Sequence, residues 1–245
     1  MDGPETLESL QQGPHRFLFD PACFNHFSPD CFDPDWWQAR NAVTGTATGR
    51  GTTWFLQDGA NALVLRRYRR GGVLAALTGD RYLIQPTACT RAMREFRLLA
   101  HMRTRGLPVP RPCAAALFRD HALFYRAALI IERIPGARDL VALLQEAPLP
   151  TATWEAIGSV IARMHAAGVW HSDLNAHNLL LDEAGQVWII DFDKCRLRTP
   201  GRWRQANLAR LQRSLRKEAG LHAQWHATDE DFEVLRRGYE RGASA

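Results

Sequence analysis

Lysine is almost missing from this chain. Of 245 residues only Lys194 and Lys217 are lysine, although Lys and Arg together number 31 and the net charge is +5. Arginine therefore carries nearly all of the positive charge. A basic balance of this kind admits nucleic acid, an anionic membrane or a phosphorylated ligand as partner and does not choose among them. Paired thiols are missing too. The five cysteines, Cys23, Cys31, Cys89, Cys113 and Cys195, are dispersed and form no Cys-x-x-Cys. That excludes a zinc-ribbon pattern and a disulfide framework and fits a reducing compartment. Nor does any apolar run approach the ~18 residues that a membrane-spanning helix requires. The opening MDGPETLESL is acidic and has no apolar core, unlike a signal peptide. Membrane association, if the protein has any, is expected to be peripheral. No aromatic-rich basic motif for RNA or DNA is present, so nucleic acid is not expected as a partner.

What is present is ordinary globular usage, 46% apolar and 23% charged, enough for a packed core. Residues 1–40 are rich in Pro, Asp and aromatics and carry turn signals every few positions. Their Phe and Trp residues require something to pack against. Residues 43–70 read as strand, glycine turn, strand, Asp-Gly turn, strand, with QDGAN as a hairpin signal. TRAMREFRLLAHMRT (90–104) has helical period and is stopped by GLPVPRP. AALFRD and LFYRAALIIERI supply two more strands, completing an expected five-stranded antiparallel sheet with one long helix. PGARD at 135–139 is the expected boundary between an N-terminal lobe (1–134) and a smaller, mainly helical C-terminal lobe (135–245). In the latter, DLVALLQEA, TWEAIGSVIARMHAAG and the basic stretch 203–217 read as helices. The fold class expected is α+β.

The chemistry concentrates in GVWHSDLNAHNLLLDEAGQVWIIDFDKC, residues 168–195. NLLL and QVWII are apolar runs about the turn DEAG. Pairing them brings Asn178 opposite Ile190 or Asp191, a register the residues alone leave open. HSDLNAH is too short and too polar for a helix, so it is a loop delivering Asp173 to the open end of the hairpin. Asp173, Asn178 and Asp191 thus converge. Oxygen donors of this kind suit magnesium, which takes one or two protein ligands together with phosphate oxygens and water. A further carboxylate orients a hydroxyl and accepts its proton. This is the equipment of phosphoryl transfer.

HSDLNAHN followed by IIDFD resembles the catalytic loop and magnesium-binding segment of the bilobal protein-kinase-like fold, with His-x-Asp, Asn five residues after the Asp, and Asp-Phe. The resemblance implies Asp173 as catalytic base and Asn178 and Asp191 as metal ligands. It implies Arg66, at the end of LVLR, in place of the usual phosphate-binding lysine, with Glu95 as its helix partner and Val64 on the same strand beside the nucleotide. TGTATGRG, with Gly49 and Gly51, would cover the phosphates, and backbone groups of Glu132 and Ile134 would meet adenine. Besides that arginine, the chain departs from the pattern in three places. Asn175 stands where protein kinases acting on serine or threonine carry lysine, Asp193 replaces the glycine of Asp-Phe-Gly, and the glycine turn does not follow Gly-x-Gly-x-x-Gly. A protein-kinase-style activation switch is therefore not expected.

Within that fold, VLRRYRRGG, REFRLLAHMRTRGLPVPRP, ERIPGARDL and HSDLNAHNLLLD resemble the 3-deoxy-D-manno-octulosonic acid (Kdo) kinase family of lipopolysaccharide-core kinases, over most of residues 45–200. This resemblance implies ATP and Mg2+ as cofactors and phosphorylation of the Kdo 4-hydroxyl on a Kdo–lipid A precursor, with the enzyme on the cytoplasmic face of the inner membrane. The basic stretch 196–217, with Leu208, Leu211 and Leu215 on one stripe, would present its cations to that anionic surface. A core-heptose kinase and a nucleotide-binding scaffold without activity are the alternatives on the same motifs.

Overall fold

Alternation decides the first half of the chain. In Asn61–Arg67, Leu63 and Leu65 are buried while Val64 and Arg66 are only half-buried, the period of two that makes a strand two-faced. A computed structural model describes residues 7–48, 52–69, 80–120 and 123–244. The strands of this half are β1 (Glu8–Gln12), β2 (His15–Phe19), β3 (Val43–Thr48), β4 (Thr52–Asp58), β5 (Asn61–Arg67), β6 (Tyr82–Leu83), β7 (Pro112–Asp120) and β8 (Phe124–Glu132). They form one antiparallel sheet in the order β1-β2-β7-β8-β5-β4-β3, and β6 also pairs with β8. The sheet has eight strands rather than five. The difference lies in short or turn-flanked pieces: β1 and β2 form a hairpin about Gly13, which has φ +56°, and Phe17 and Phe19 bury one face of β2.

The aromatic-rich opening segment covers one face of this sheet. Phe24, Phe32 and Trp37 join Phe17, Leu56, Leu63, Leu65 and Ile130 in one buried cluster, each large side chain contributing about 1.5–3 kcal/mol by leaving water. α1 (Pro34–Gln38) is capped by Asp33, and the Trp37 indole N–H donates to the Cys31 carbonyl at 2.6 Å. The buried Asp20 is not left as a bare charge. Its Oδ2 accepts from Nε and Nη2 of Arg111 at 2.9 and 2.6 Å, and its Oδ1 caps Ala22.

The chain divides into two compact units, Met1–Ala100 with Arg111–Arg133, and His101–Pro110 with Ile134–Ala245. Residues 101–110, which the sequence assigns to the first half, belong with the second. There Met102, Leu107 and Val109 are buried and the Pro108 carbonyl accepts from Ile189 N–H. The last turn of α2 (Arg91–Arg103) is part of this segment. The second unit holds α3 (Leu140–Glu146), α4 (Thr151–Ala166), α5 (Trp203–Ala219) and α6 (Asp229–Ser244). Its short strands are β9 (Arg138–Asp139), β10 (Val169–Trp170), β11 (Leu179–Leu181), β12 (Val187–Ile189) and β13 (Arg196–Leu197). α3 starts at Asp139, whose carboxylate accepts from Ala142 N–H.

α6 is not visible as a distinct element in the sequence reading, yet it packs along α4. The contact is made by missing side chains. A Cβ on Gly158 would lie 2.0 Å from the Leu235 carbonyl oxygen, and one on Gly238 would lie 2.3 Å from that of Glu155. The two helices therefore meet backbone to backbone. Ala in place of Gly in a helix interior ordinarily stabilises by about 0.5–1 kcal/mol. Here the sign reverses. Gly158→Ala is expected to lower unfolding free energy by about 1–3 kcal/mol, the usual cost of overpacking, read as a lower urea midpoint at unchanged slope.

Candidate active site

The hairpin at 178–190 settles its own register. Leu179 pairs with Ile189 and Leu181 with Val187, and Ile190 N–H donates to the Asn178 carbonyl at 3.0 Å. Of the two open registers, Asn178 therefore lies opposite Ile190, and Asp191 is the next residue out. Asp182 fixes the turn. Its Oδ1 accepts from Ala184 and Gln186 N–H and its Oδ2 from the Trp188 indole N–H at 2.8 Å, and the indole bond holds its carboxyl below the ordinary range. Asp191 turns the chain with φ +63°, a conformation costly for a residue with a Cβ. Phe192, directly after it, is buried against the edge of the His171 ring.

The loop that carries Asp173 is held from inside. Asn175 Oδ1 accepts from Asn178 N–H at 3.1 Å, capping the turn, and Asn178 Nδ2 donates to the Asp173 carbonyl at 2.9 Å. That bond points the Asn178 amide oxygen the other way. His171 joins this loop to the hairpin. Asp173 N–H donates to Nδ1 at 3.1 Å, and Nε2 meets the Ile190 carbonyl at 3.1 Å. Nδ1 is an acceptor, so Nε2 carries the proton and the ring is neutral. Burial lowers its basicity further. One imidazole thus pins the backbones beside both Asp173 and Asp191.

A single stripe of α5 grips the same loop from outside. Asn207 accepts from His171 N–H and donates to the His171 carbonyl, Arg210 Nη1 donates to Asp173 Oδ1 at 2.6 Å, and Ser214 Oγ accepts from Ala176 N–H at 3.1 Å. Positions 207, 210 and 214 share one helical face. Asn207 is tied in turn to His165 Nε2, whose Nδ1 meets the Tyr239 hydroxyl at 3.0 Å. This corrects the reading of the helix as a row of outward cations. Arg210 pairs with Asp173, Arg216 with Asp229, and Arg204 donates to the His165 carbonyl. The three gripping residues escaped sequence reasoning because Asn, Arg and Ser on a basic helix look like a solvated face.

In the first unit, Arg66 Nη1 lies 3.5 Å from Glu95 Oε1. Glu95 is buried, and its Oε2 also accepts from the Tyr68 hydroxyl at 2.5 Å. Tyr68 was not foreseen, although it sits two residues along from Arg66 on the same side of the strand. Val64 pairs with Ile131 on β8 and is half-buried. The Glu132 N–H is spent on the Arg111 carbonyl at 2.9 Å, so of its backbone groups that donor is taken. Ile134 is half-buried and falls in the second unit. Gly49 and Gly51 lie outside the described residues.

Among the described residues no group of three or more His, Cys, Asp or Glu side chains gathers to hold a metal. The set at the hairpin end, one amide oxygen and one carboxylate on either side of a hydrogen-bonded pair of strands, instead fits a hard cation that completes its shell with phosphate oxygens and water.

Residues 34–239 match the family model described as "Lipopolysaccharide kinase (Kdo/WaaP) family". A "3-deoxy-D-manno-octulosonic acid kinase" of Vibrio parahaemolyticus is 49% identical over 217 residues, 89% of this chain and 90% of that protein. A protein of the same name from Vibrio vulnificus is 46% identical over 237 residues, 96% of this chain and 98% of that one. One from Xylella fastidiosa is 44% identical over 243 residues, 98% and 96% respectively. The solved structure of "WaaP in complex with acyl carrier protein" has a TM-score of 0.60 at 19% identity, covering 96% of this chain and 89% of that one. That likeness establishes a protein-kinase-like fold.

The buried histidines set an acid limit. Burial lowers His165 from the ordinary 6.5 to about 4 and lowers His171 as well. Folded-state values below the unfolded one mean that the unfolded chain takes up protons first. The associated stability is complete above about pH 6.5 and is lost as pH falls toward 4. For His165 the loss is about 3 kcal/mol. Urea midpoints measured across that window should fall, and His165→Gln should flatten the fall.

Proposed function

This chain belongs to the lipopolysaccharide kinase (Kdo/WaaP) family and is a phosphotransferase, and we propose that it transfers the γ-phosphoryl group of ATP to the 4-hydroxyl of Kdo on a Kdo–lipid A precursor. The acceptor is supported by relatives named Kdo kinase that match almost end to end. The observation that carries the chemistry is the open end of the hairpin. There the Asp173 loop, Asn178 and the residue before Asp191 are joined by three hydrogen bonds, through His171 and the Asn178 amide.

In this reading Asp173 orients the sugar hydroxyl and takes its proton. The oxygen bonds to the γ-phosphorus as the bond from that phosphorus to the β-phosphate oxygen breaks, releasing ADP. Asn178 and Asp191 would hold magnesium, which would supply charge neutralisation on the phosphates. Arg66, braced by the buried Glu95, carries further phosphate charge through a planar guanidinium. Val64, Glu132 and Ile134 belong with the base, and Gly49 and Gly51 with the phosphates.

An anionic acceptor suits the surface that follows Asp191. Arg196 and Arg198 both lie over the Trp170 ring, with guanidinium carbons 5.2 and 4.3 Å from its centroid. They and the exposed Arg202, Arg213 and Lys217 make no ion pair with any described residue. Such cations gain roughly 1 kcal/mol each at an anionic bilayer, so the protein works peripherally on the cytoplasmic face of the inner membrane. Among the described residues no helix is long and apolar enough to cross it.

The assay is purified protein with Mg-ATP and a Kdo–lipid A precursor lacking heptose, the product's phosphate located by mass spectrometry. Phosphate on the Kdo 4-hydroxyl is the expected result. No incorporation without heptose would make the acceptor a core heptose instead. Asp173→Ala should lose about 10²–10⁴-fold in turnover while keeping a native unfolding curve, and full turnover in that variant would remove Asp173 from the role.

A further inference from the structure

Every polar group of Asp173 but one is already engaged. Its N–H is given to His171, its carbonyl is taken by Asn178, and its Oδ1 is held by Arg210 at 2.6 Å. Among the described residues only Oδ2 has no partner. The carboxylate is therefore clamped by one corner, with the other turned loose. Position 175, two residues along the loop, holds an asparagine already used to cap the turn. The cation comes instead from α5, on the stripe whose other two members grip the same loop.

Both partners are about half exposed, 47% for Arg210 and 54% for Asp173. Exposed pairs of this kind contribute little to stability. A charge-assisted bond of 2.6 Å fixes geometry well even where it adds little to folding, and geometry is what a proton-accepting carboxylate needs. We infer that Arg210 is a positioning residue for the transfer reaction. It holds Asp173 Oδ1 so that Oδ2 is the oxygen that meets the acceptor hydroxyl. The inference rests on the proposed role of Asp173 as base.

The test compares Arg210→Ala, Arg210→Lys and Asp173→Ala in the phosphate-incorporation assay, with urea unfolding of each. Arg210→Ala should unfold like wild type and lose about 10²-fold in kcat, with KM for ATP and acceptor little changed. Free guanidinium at tens of millimolar should restore part of that loss in Arg210→Ala and none in Asp173→Ala, and Arg210→Lys should sit between. The double variant should be no slower than Asp173→Ala alone, as for residues acting as a unit. Wild-type kcat in Arg210→Ala overturns the inference. So does a loss confined to KM, which would make Arg210 an acceptor-binding group, and so does a loss that neither guanidinium nor lysine relieves. If Asp173→Ala itself turns over normally, it is the base assignment that has failed. If Asp173→Ala is dead and Arg210→Ala is not, only the role of Arg210 has.

Discussion

The second unit of this protein depends on one uncharged imidazole. His171 accepts a backbone N–H from the loop and gives its own proton to a backbone carbonyl of the hairpin, so it can serve both only in a single tautomer. A protonated ring would have no lone pair for Asp173 N–H, and burial opposes that charge in any case. Two segments that share no covalent turn are thereby held in register by a side chain that meets neither nucleotide nor acceptor in the proposed reaction. The chemistry falls to the residues on either side of it.

Around that ring a chain of hydrogen bonds runs outward. Asn207 locks the His171 backbone from α5, His165 locks Asn207, and Tyr239 locks His165. In the first unit the buried Glu95 plays the comparable part, taking a phenol on one oxygen and a guanidinium on the other. In both places a buried polar group is bonded through both of its polar atoms, and a more exposed charged one is held beside it. That division keeps the cost of burial low and leaves the charged groups nearer solvent.

Much of this was legible in the residues. The hairpin announced itself through NLLL, DEAG and QVWII, and its open end gathered Asp173, Asn178 and Asp191 in either register. The pairing of Arg66 with Glu95 was implied by the resemblance to the protein-kinase-like fold, and the two lie 3.5 Å apart. What was not legible had no local signature. β1 and β2 sit among turn residues, and their strand character comes from pairing, β1 with β2 and β2 with β7. α6 is short of apolar residues, and its helix is secured by contact with α4. Arg210 is one arginine in a run of them. Only its position one turn from Asn207 and Ser214 separates it from Arg213, and that needs the loop to be in place first.

The seam between α4 and α6 is closed by main chain on both sides at Gly158 and Gly238, so at those two points its width has no side chain to adjust it. Most protein cores drift over evolutionary time by trading a large residue on one wall for a small one on the other. The two glycines offer nothing to trade. Any widening would carry Tyr239 outward and slacken, link by link, the relay that ends at the loop bearing Asp173, so a surface far from the reacting atoms is answerable for their alignment.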